Sequence, residues 1–290
     1  MKYRFLFFIF LLFHFSLQAQ VDTKGMDFWL TFGRNSSTVF GTVSLQIRIV
    51  GGDQPATGDI YFTSLGTSVT FSIAAGQIFT HDLSSTEFAA AMNTVAGTTN
   101  YSVRITSSAP VTAYALNQQS ATTDATNILP VTAYGTEYYQ ISYTPLSGRN
   151  DAYAVIATEN TTQVYHNNAL ATTLNAGQVY YRTSTADMSG AYVTTDKPAA
   201  FFALSGGTNI PVGYTAADIM FQQLAPVNTW GKTFFVPVSH MTRDVVRIMA
   251  SQNATTITQT GGTVLQGSLT LNAGQFVDLI VYRSNNGCYI

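Results

Sequence analysis

Beyond the first 20 residues the chain carries three histidines, His81, His166 and His240. None has a second His or Cys at the spacing that zinc sites use, so no metal centre is expected. Calcium asks for clustered oxygen ligands in an Asp-x-Asp-x-Asp-Gly pattern, whereas Asp218, Asp244 and Asp278 stand alone. Ser239, His240 and Asp244 are close enough in sequence to suggest a nucleophile, a base and its orienting acid. Triad members converge from distant segments, however, and a local polar cluster of this kind reads as a turn. Glycoside hydrolysis needs two carboxyl groups facing each other across a cleft; the glutamates Glu87, Glu137 and Glu159 read instead as solvated turn residues. With no Gly-x-Ser-x-Gly elbow and no phosphate-cradling glycine loop, neither a catalytic group nor a cofactor is expected.

What remains for recognition is aromatic surface and loop. Aromatic residues make up 13% of the chain, and Trp29, Tyr138, Tyr139, Trp230, Phe234 and Phe235 recur near one kind of strand, where core packing is the expected role. The connection from Gly206 to Phe221 is long and irregular. Loops of that kind on a rigid β-scaffold often carry recognition. Thr208, Asn209, Pro211, Tyr214 and Asp218 are therefore the candidate partner-binding residues.

The elements that must position this loop are strands. Short alternating runs rich in Val, Ile, Thr, Tyr and Phe are punctuated by Gly, Asn and Asp, as in Val43–Ile49, Ser102–Thr106, Tyr138–Tyr143, Gln178–Arg182 and Thr233–Val238. Tyr153–Ala157 is almost wholly apolar and reads as a strand covered on both faces. One helix is expected, over Ser84–Met92, with Ser84 or Ser85 as cap and Glu87 in the first turn.

These strands repeat. Ala75-Gly76-Gln77 returns as Ala176-Gly177-Gln178 and as Ala273-Gly274-Gln275, at spacings of 101 and 97 residues. Each copy precedes an aromatic strand and reads as a hairpin with glycine at positive φ. Leu129-Pro130-Val131 returns as Ala225-Pro226-Val227, and Gly135 returns as Gly231, both offset by 96. Ser107-Ser108-Ala109-Pro110 corresponds to Thr195-Asp196-Lys197-Pro198. The expected organisation is a signal peptide over 1–19, β repeats over 20–134 and 135–230, and an incomplete repeat over 231–290. An all-β fold follows: tandem units of about 95 residues, each an antiparallel β-sandwich-like unit, with β-propeller-like blades as the alternative.

Composition sets the compartment. Lys2 and Arg4, the apolar run Phe5–Phe15 and the small-residue exit at Ala19 have the layout of a secretory signal peptide. The run is shorter than the ~20 residues that a spanning helix needs, so a secreted or cell-surface protein without a transmembrane segment is expected. Charged residues make up 10% of the chain, against about 25% in ordinary soluble proteins, and the net charge is −2. Nucleic-acid binding, which needs a basic footprint, is therefore not expected. The single cysteine, Cys288, excludes a disulfide framework within the chain; it could pair with another chain or with a segment beyond Ile290. Because the third repeat breaks off after its hairpin, additional C-terminal domains are expected beyond this sequence.

Taken in order, several of these markers resemble the N-terminal domain family of IgG Fc-binding proteins, which also occurs in secreted bacterial proteins. The carrying residues are Gly25-Met26-Asp27-Phe28-Trp29-Leu30-Thr31-Phe32, Ala115-Leu116-Asn117, Leu129-Pro130-Val131 with Gly135-Thr136-Glu137-Tyr138-Tyr139, Ala157-Thr158-Glu159-Asn160-Thr161-Thr162, Thr194-Thr195-Asp196-Lys197-Pro198, and Gln223-Leu224-Ala225-Pro226-Val227 with Trp230-Gly231-Lys232. They extend from Gly25 to about Gly274. The chain departs from the family after its Lys-Pro strand, where Ser205–Pro211 keeps an Asn-Ile-Pro remnant but lacks the usual cysteines. The resemblance implies a secreted bacterial, non-catalytic binding or adhesion module whose partner is an extracellular protein or glycan. A structural matrix component and a secreted carbohydrate-active hydrolase are the alternatives.

Overall fold

The fold was analysed in a computed structural model, which describes residues 22–36, 41–211, 213–237, 243–261, 268–282 and 288–290. The signal segment, Ser239 and His240 lie outside them. A first set of elements comprises β1 (Lys24–Leu30), β2 (Phe32–Gly33), β3 (Ser44–Gly51), β4 (Ala56–Phe62), β5 (Thr67–Ile73), β6 (Ile78–Asp82), α1 (Ser85–Ala91), β7 (Met92–Asn93), β8 (Gly97–Thr99), β9 (Val103–Gln118) and β10 (Thr123–Ile128). A second holds β11 (Gly135–Tyr139), β12 (Asp151–Ala157), β13 (Thr162–His166), β14 (Ala169–Leu174), β15 (Val179–Ser184), β16 (Tyr192–Thr208) and β17 (Asp218–Gln223). The last is β18 (Phe235–Val236), β19 (Arg243–Met249), β20 (Thr255–Ile257), β21 (Thr260–Gly261), β22 (Leu269–Leu271), β23 (Phe276–Tyr282) and β24 (Cys288–Tyr289).

Strand pairing recurs from set to set. The first sheet runs β5-β4-β9-β3-β6, with β1 and β10 also on β9; the second runs β14-β13-β16-β12-β15, with β11 and β17 on β16. In the third, β19 pairs β23, β20 pairs β22 and β18 pairs β24. The architecture is all-β and sandwich-like, as expected, with α1 where the sequence places a helix. Ser84 and Glu87 form a reciprocal capping box there, each accepting from the other's backbone N–H.

The repeated motifs have local physical causes. Gly76, Gly177 and Gly274 have φ of +69°, +82° and +77°, the left-handed turn conformation that a side chain disfavours; the strands they join, β5 to β6, β14 to β15 and β22 to β23, pair with other strands and not with each other, so these are turns and not the expected hairpins. Gln178 and Gln275 then fold their side chains back, so that Oε1 accepts from the N–H of Asn175 at 2.8 Å and of Asn272 at 2.7 Å. Asn160 and Asn253, from the preceding turn, accept through Oδ1 from Ala176 N at 3.0 Å and Ala273 N at 3.1 Å. Gly25 and Gly135 are close-approach glycines. A Cβ on either would lie 2.3 Å from Pro130 Cβ or 2.5 Å from Pro226 Cβ, which explains why a glycine-led strand and a distant proline recur together.

Packing joins the sets instead of separating them. One hydrophobic cluster contains Phe28, Trp29, Ile47, Phe62 and Val103 of the first set with Ala154, Ile156, Val179, Phe202 and Phe221 of the second. The opposite face of the second sheet, with Tyr138, Tyr153, Val155, Val164 and Phe201, forms another. β12 is buried along its whole length because it lies between the two. Contacts at the seam also repeat. Trp29 Cζ3 lies 3.3 Å from where a Cβ of Gly177 would be, and Tyr139 Cε1 lies 3.2 Å from that of Gly274. At the first seam Ser102 Oγ donates to Gly177 O at 2.6 Å, and β8 pairs with β15. At the second, Gly190 packs on the backbone of Gly274.

Gly177→Ala is accordingly expected to cost about 3 kcal/mol, combining left-handed strain with contact against Thr63 and Trp29. Gly76→Ala, whose Cβ would meet nothing within 4 Å, should cost only about 1 kcal/mol. Urea unfolding of the two variants checks this; equal losses would contradict the seam.

Candidate binding surface

The long central strand β16 is buried from Ala199 to Thr208 and delivers the candidate loop from a rigid base. Its described irregular part is 209–211 and 213–217, since β17 begins at Asp218. Thr208, 3% exposed, is a post and not a contact: its Oγ1 donates to Thr144 O at 2.8 Å. Asp218 stands opposite it, with Oδ1 accepting from Thr123 N at 2.9 Å and from Ile219 N at 2.8 Å. Between the posts, Asn209 Nδ2 donates to Tyr214 O, and Tyr214 N donates to Pro211 O at 3.3 Å. The Ile210–Pro211 peptide is cis. This closed turn leaves Ile210 39% and Tyr214 50% exposed.

A neighbouring loop that the sequence reading did not single out completes the surface. Pro145 bridges Thr208, and Leu146 N donates to Gly207 O at 3.0 Å. Leu146 is thereby held 38% exposed beside the turn, while the Arg149 side chain packs over Gly207. Two adjoining turns thus expose a tyrosine and two aliphatic side chains, with an arginine packed at their base, and Tyr and Arg are residue types that protein interfaces favour. The only sequence signal for it is the Ser147-Gly148-Arg149-Asn150 stretch, whose turn composition gives no hint of its neighbour.

A buried carboxyl anchors the base of this second loop. Asp151 Oδ1 accepts from Gln140 Nε2 at 3.0 Å, and Oδ2 from Met188 N at 2.6 Å. Burial pushes its pKa up to about 7, with the nearby Asp187 charge adding to the rise. Asp187 itself is held below the usual range: burial raises it, but bonds from Ser189 and Arg247 outweigh that. Arg247 lies between the rings of Tyr143, at 4.1 Å, and Phe276, at 4.0 Å. It pairs with Asp187 and Asp278, each at 2.7 Å, and so clasps β19 to the connection between β15 and β16. Asp124, raised mainly by burial, accepts from Phe221 N at 2.7 Å and ties β10 to β17.

Other side chains with chemical potential are engaged structurally. His81 Nε2 lies 3.1 Å from Glu87, His166 Nδ1 lies 2.9 Å from the Tyr153 hydroxyl, and Glu137 accepts from Tyr192 at 2.7 Å. Among the described residues no group of three His, Cys, Asp or Glu is placed to hold a metal ion, and no helix is long and apolar enough to cross a membrane. A separate open groove of about 530 Å³ lies on the first sheet, lined by Thr57, Gly58, Asp59, Thr70, Phe71, Thr106, Ser107 and Ser108.

The sequence model for the IgGFc binding protein family matches residues 124–290. The chain belongs to that family. The matched stretch begins in β10 and takes in the second and third strand sets, whereas the motif resemblance begins at Gly25. Human IgGFc-binding protein is similar to this family member, 30% identical over 202 residues. That similarity covers 63% of the chain but only 4% of the human protein. No solved structure matches this chain.

Because folding raises the Asp151 pKa above its ordinary value of 3.8, the native state holds that proton more tightly. The associated stability is fully present below the ordinary carboxylate pKa and is lost as pH rises through about 7. Thermal melts should show a fall in Tm across that window, and Asp151→Asn should flatten it. An unchanged slope in the variant would contradict the assignment.

Proposed function

We propose that this chain is a secreted or cell-surface, non-catalytic binding module that recognises an extracellular glycoprotein. Residues 1–19 serve as its Sec signal, and its repeats run over 20–134, 135–230 and 231–290. The observation that carries the reading is the exposed Leu146–Ile210–Tyr214 patch, set on the buried end of β16 and on the posts Thr208 and Asp218. A tyrosine offers large contact area at low entropic cost, and closed turns limit the ordering that binding must impose. Family membership supports the reading, since the human relative is named for binding the Fc part of IgG; an Fc-like glycoprotein is thus the first partner class to test. A second reading, direct glycan recognition, is favoured by the groove on the first sheet, where Thr and Ser hydroxyls surround the Asp59 carboxylate.

Probing a glycan and glycoprotein array with the secreted chain separates the two. Binding to a protein-bearing spot that falls at least about tenfold in Tyr214→Ala, typical of a hot-spot loss, supports the patch. Binding to free glycans lost in Asp59→Asn but retained in Tyr214→Ala supports the groove. Retention of every signal in Tyr214→Ala with unchanged melting overturns the first reading.

A further inference from the structure

Strand register sets the groups of the first-sheet groove in rows. Asp59 of β4 stands opposite Thr70 of β5 and Thr106 of β9, and residues directly opposite share one face of a sheet. Ile60, Ile105 and Phe71, one position away on the same strands, are buried, so the Thr70–Asp59–Thr106 row faces outward. Tyr61 stands in the next row of that face, between Ser68 and Arg104, and is 37% exposed. Gly58 shapes the floor. A Cβ there would lie 1.9 Å from Thr106 O and 2.6 Å from Phe71 Cζ, so only glycine lets β4 lie this close to β9 and brings the Phe71 ring to the groove.

Pairing leaves a specific set of groups open. Arg104 is bonded twice to Asp27, Nε to Oδ1 at 2.9 Å and Nη2 to Oδ2 at 2.7 Å. Ser107 Oγ donates to Ala109 O at 2.8 Å, and Ser108 Oγ accepts from Thr57 N at 3.0 Å. Among the described residues the Asp59 carboxylate and the hydroxyls of Thr70 and Thr106 have no such partner. A carboxylate accepts at both oxygens and donates nothing, whereas a hydroxyl does both. Neighbouring strands lie about 4.8 Å apart, so a double acceptor is flanked at that spacing by two groups of either sense.

That pattern selects a ligand. An acidic sugar would bring a second negative charge to a carboxylate that no cation offsets. A Lys or Arg side chain would answer the carboxylate, yet it only donates and leaves the threonine protons without an acceptor. A polyol ring answers all three groups, and its C–H face, positively polarised, suits the negative face of an aromatic ring. Resting on the glycan reading of this groove, we propose that its ligand class is a neutral hexopyranose. Asp59 accepts from a vicinal diol, Thr70 and Thr106 bond the hydroxyls on either side, and Tyr61 stacks on the sugar's C–H face. The groove's volume of about 530 Å³ lies within the ~300–1,000 Å³ of small-ligand sites. Because the groove is open, single sugars bind weakly and clustered display strengthens binding.

Saturation-transfer NMR on the mature chain tests this, with methyl glycosides of glucose, galactose and mannose as neutral probes and N-acetylneuraminic acid as the acidic one. Saturable binding of at least one neutral glycoside is expected. Asp59→Asn should weaken it at least about tenfold, the loss of charge-assisted hydrogen bonds, and a deoxy glycoside lacking one hydroxyl of the diol should lose a similar factor. Tyr61→Ala should cost about fivefold, with Tyr61→Phe close to wild type. Asp59 has no partner to lose and Tyr61 faces solvent, so melting should be unchanged in these variants. Binding that needs Asp59 but is confined to the acidic probe, or that ignores Tyr61→Ala, would overturn the ligand class while the glycan reading stands. Neutral binding that survives Asp59→Asn, or no sugar bound even when clustered on a polymer, would overturn both. An Asp59-dependent signal from an oligolysine peptide in place of any sugar would overturn both in favour of a cationic partner.

Discussion

An aromatic ring against a glycine at positive φ is the contact on which the arrangement of this molecule depends. At Gly177 and again at Gly274 the absence of a side chain does two things. It permits the left-handed turn between two strands of the set, and it leaves room for Trp29 or Tyr139 of the preceding strand set. Local turn chemistry and long-range packing thus make the same demand on one residue. That agreement between levels is what allows a sequence to specify one structure.

Burial follows from this seam. Once Trp29 is seated, one face of the second sheet is covered by the first set, and Ala154, Ile156 and Phe202 enter a core shared with Phe28, Ile47 and Phe62. β12 is then wrapped on both faces, which accounts for its apolar run. Stability here comes from apolar burial without an internal disulfide, since the chain has one cysteine. The polar residues admitted to the interior are placed at joints: Asp124 at the approach of β10 to β17, Asp151 beneath the exposed loop, and Arg247 between two rings at the second seam. Unpaired, each would be costly where it lies; paired, each fixes the geometry of a loop that meets solvent.

Much of the architecture was legible in the residues, for identifiable reasons. The glycine turns of the Ala-Gly-Gln motifs, the Ser84–Glu87 cap and the doubly covered Tyr153–Ala157 strand are local or periodic signals, and local physics decides them; the partners of the strands beside those turns are set by the sheet, so the expected hairpins did not form. The candidate loop was legible as a loop, but the roles inside it were not. Thr208 and Asp218 turned out to be posts whose partners, Thr144 and Thr123, are distant in sequence, while Leu146 and Arg149 came to the surface beside them through pairing with Gly207 and Thr208. The aromatics of the opening strands were expected in cores. That holds for Trp29, Tyr138 and Tyr139, whereas Phe234 and Phe235 are exposed. No pattern within the motif distinguishes a buried copy from an exposed one.

If the seam truly fuses the first two sets, they cannot open separately. Native-state hydrogen exchange measures this directly, through the opening free energies of the Ile47 and Val103 amides in the first sheet and of Ala154 and Phe202 in the second. All four should exchange through a single global event, with one free energy and one denaturant dependence. Two distinct opening energies, with the second sheet exchanging while the first stays protected, would contradict the shared core.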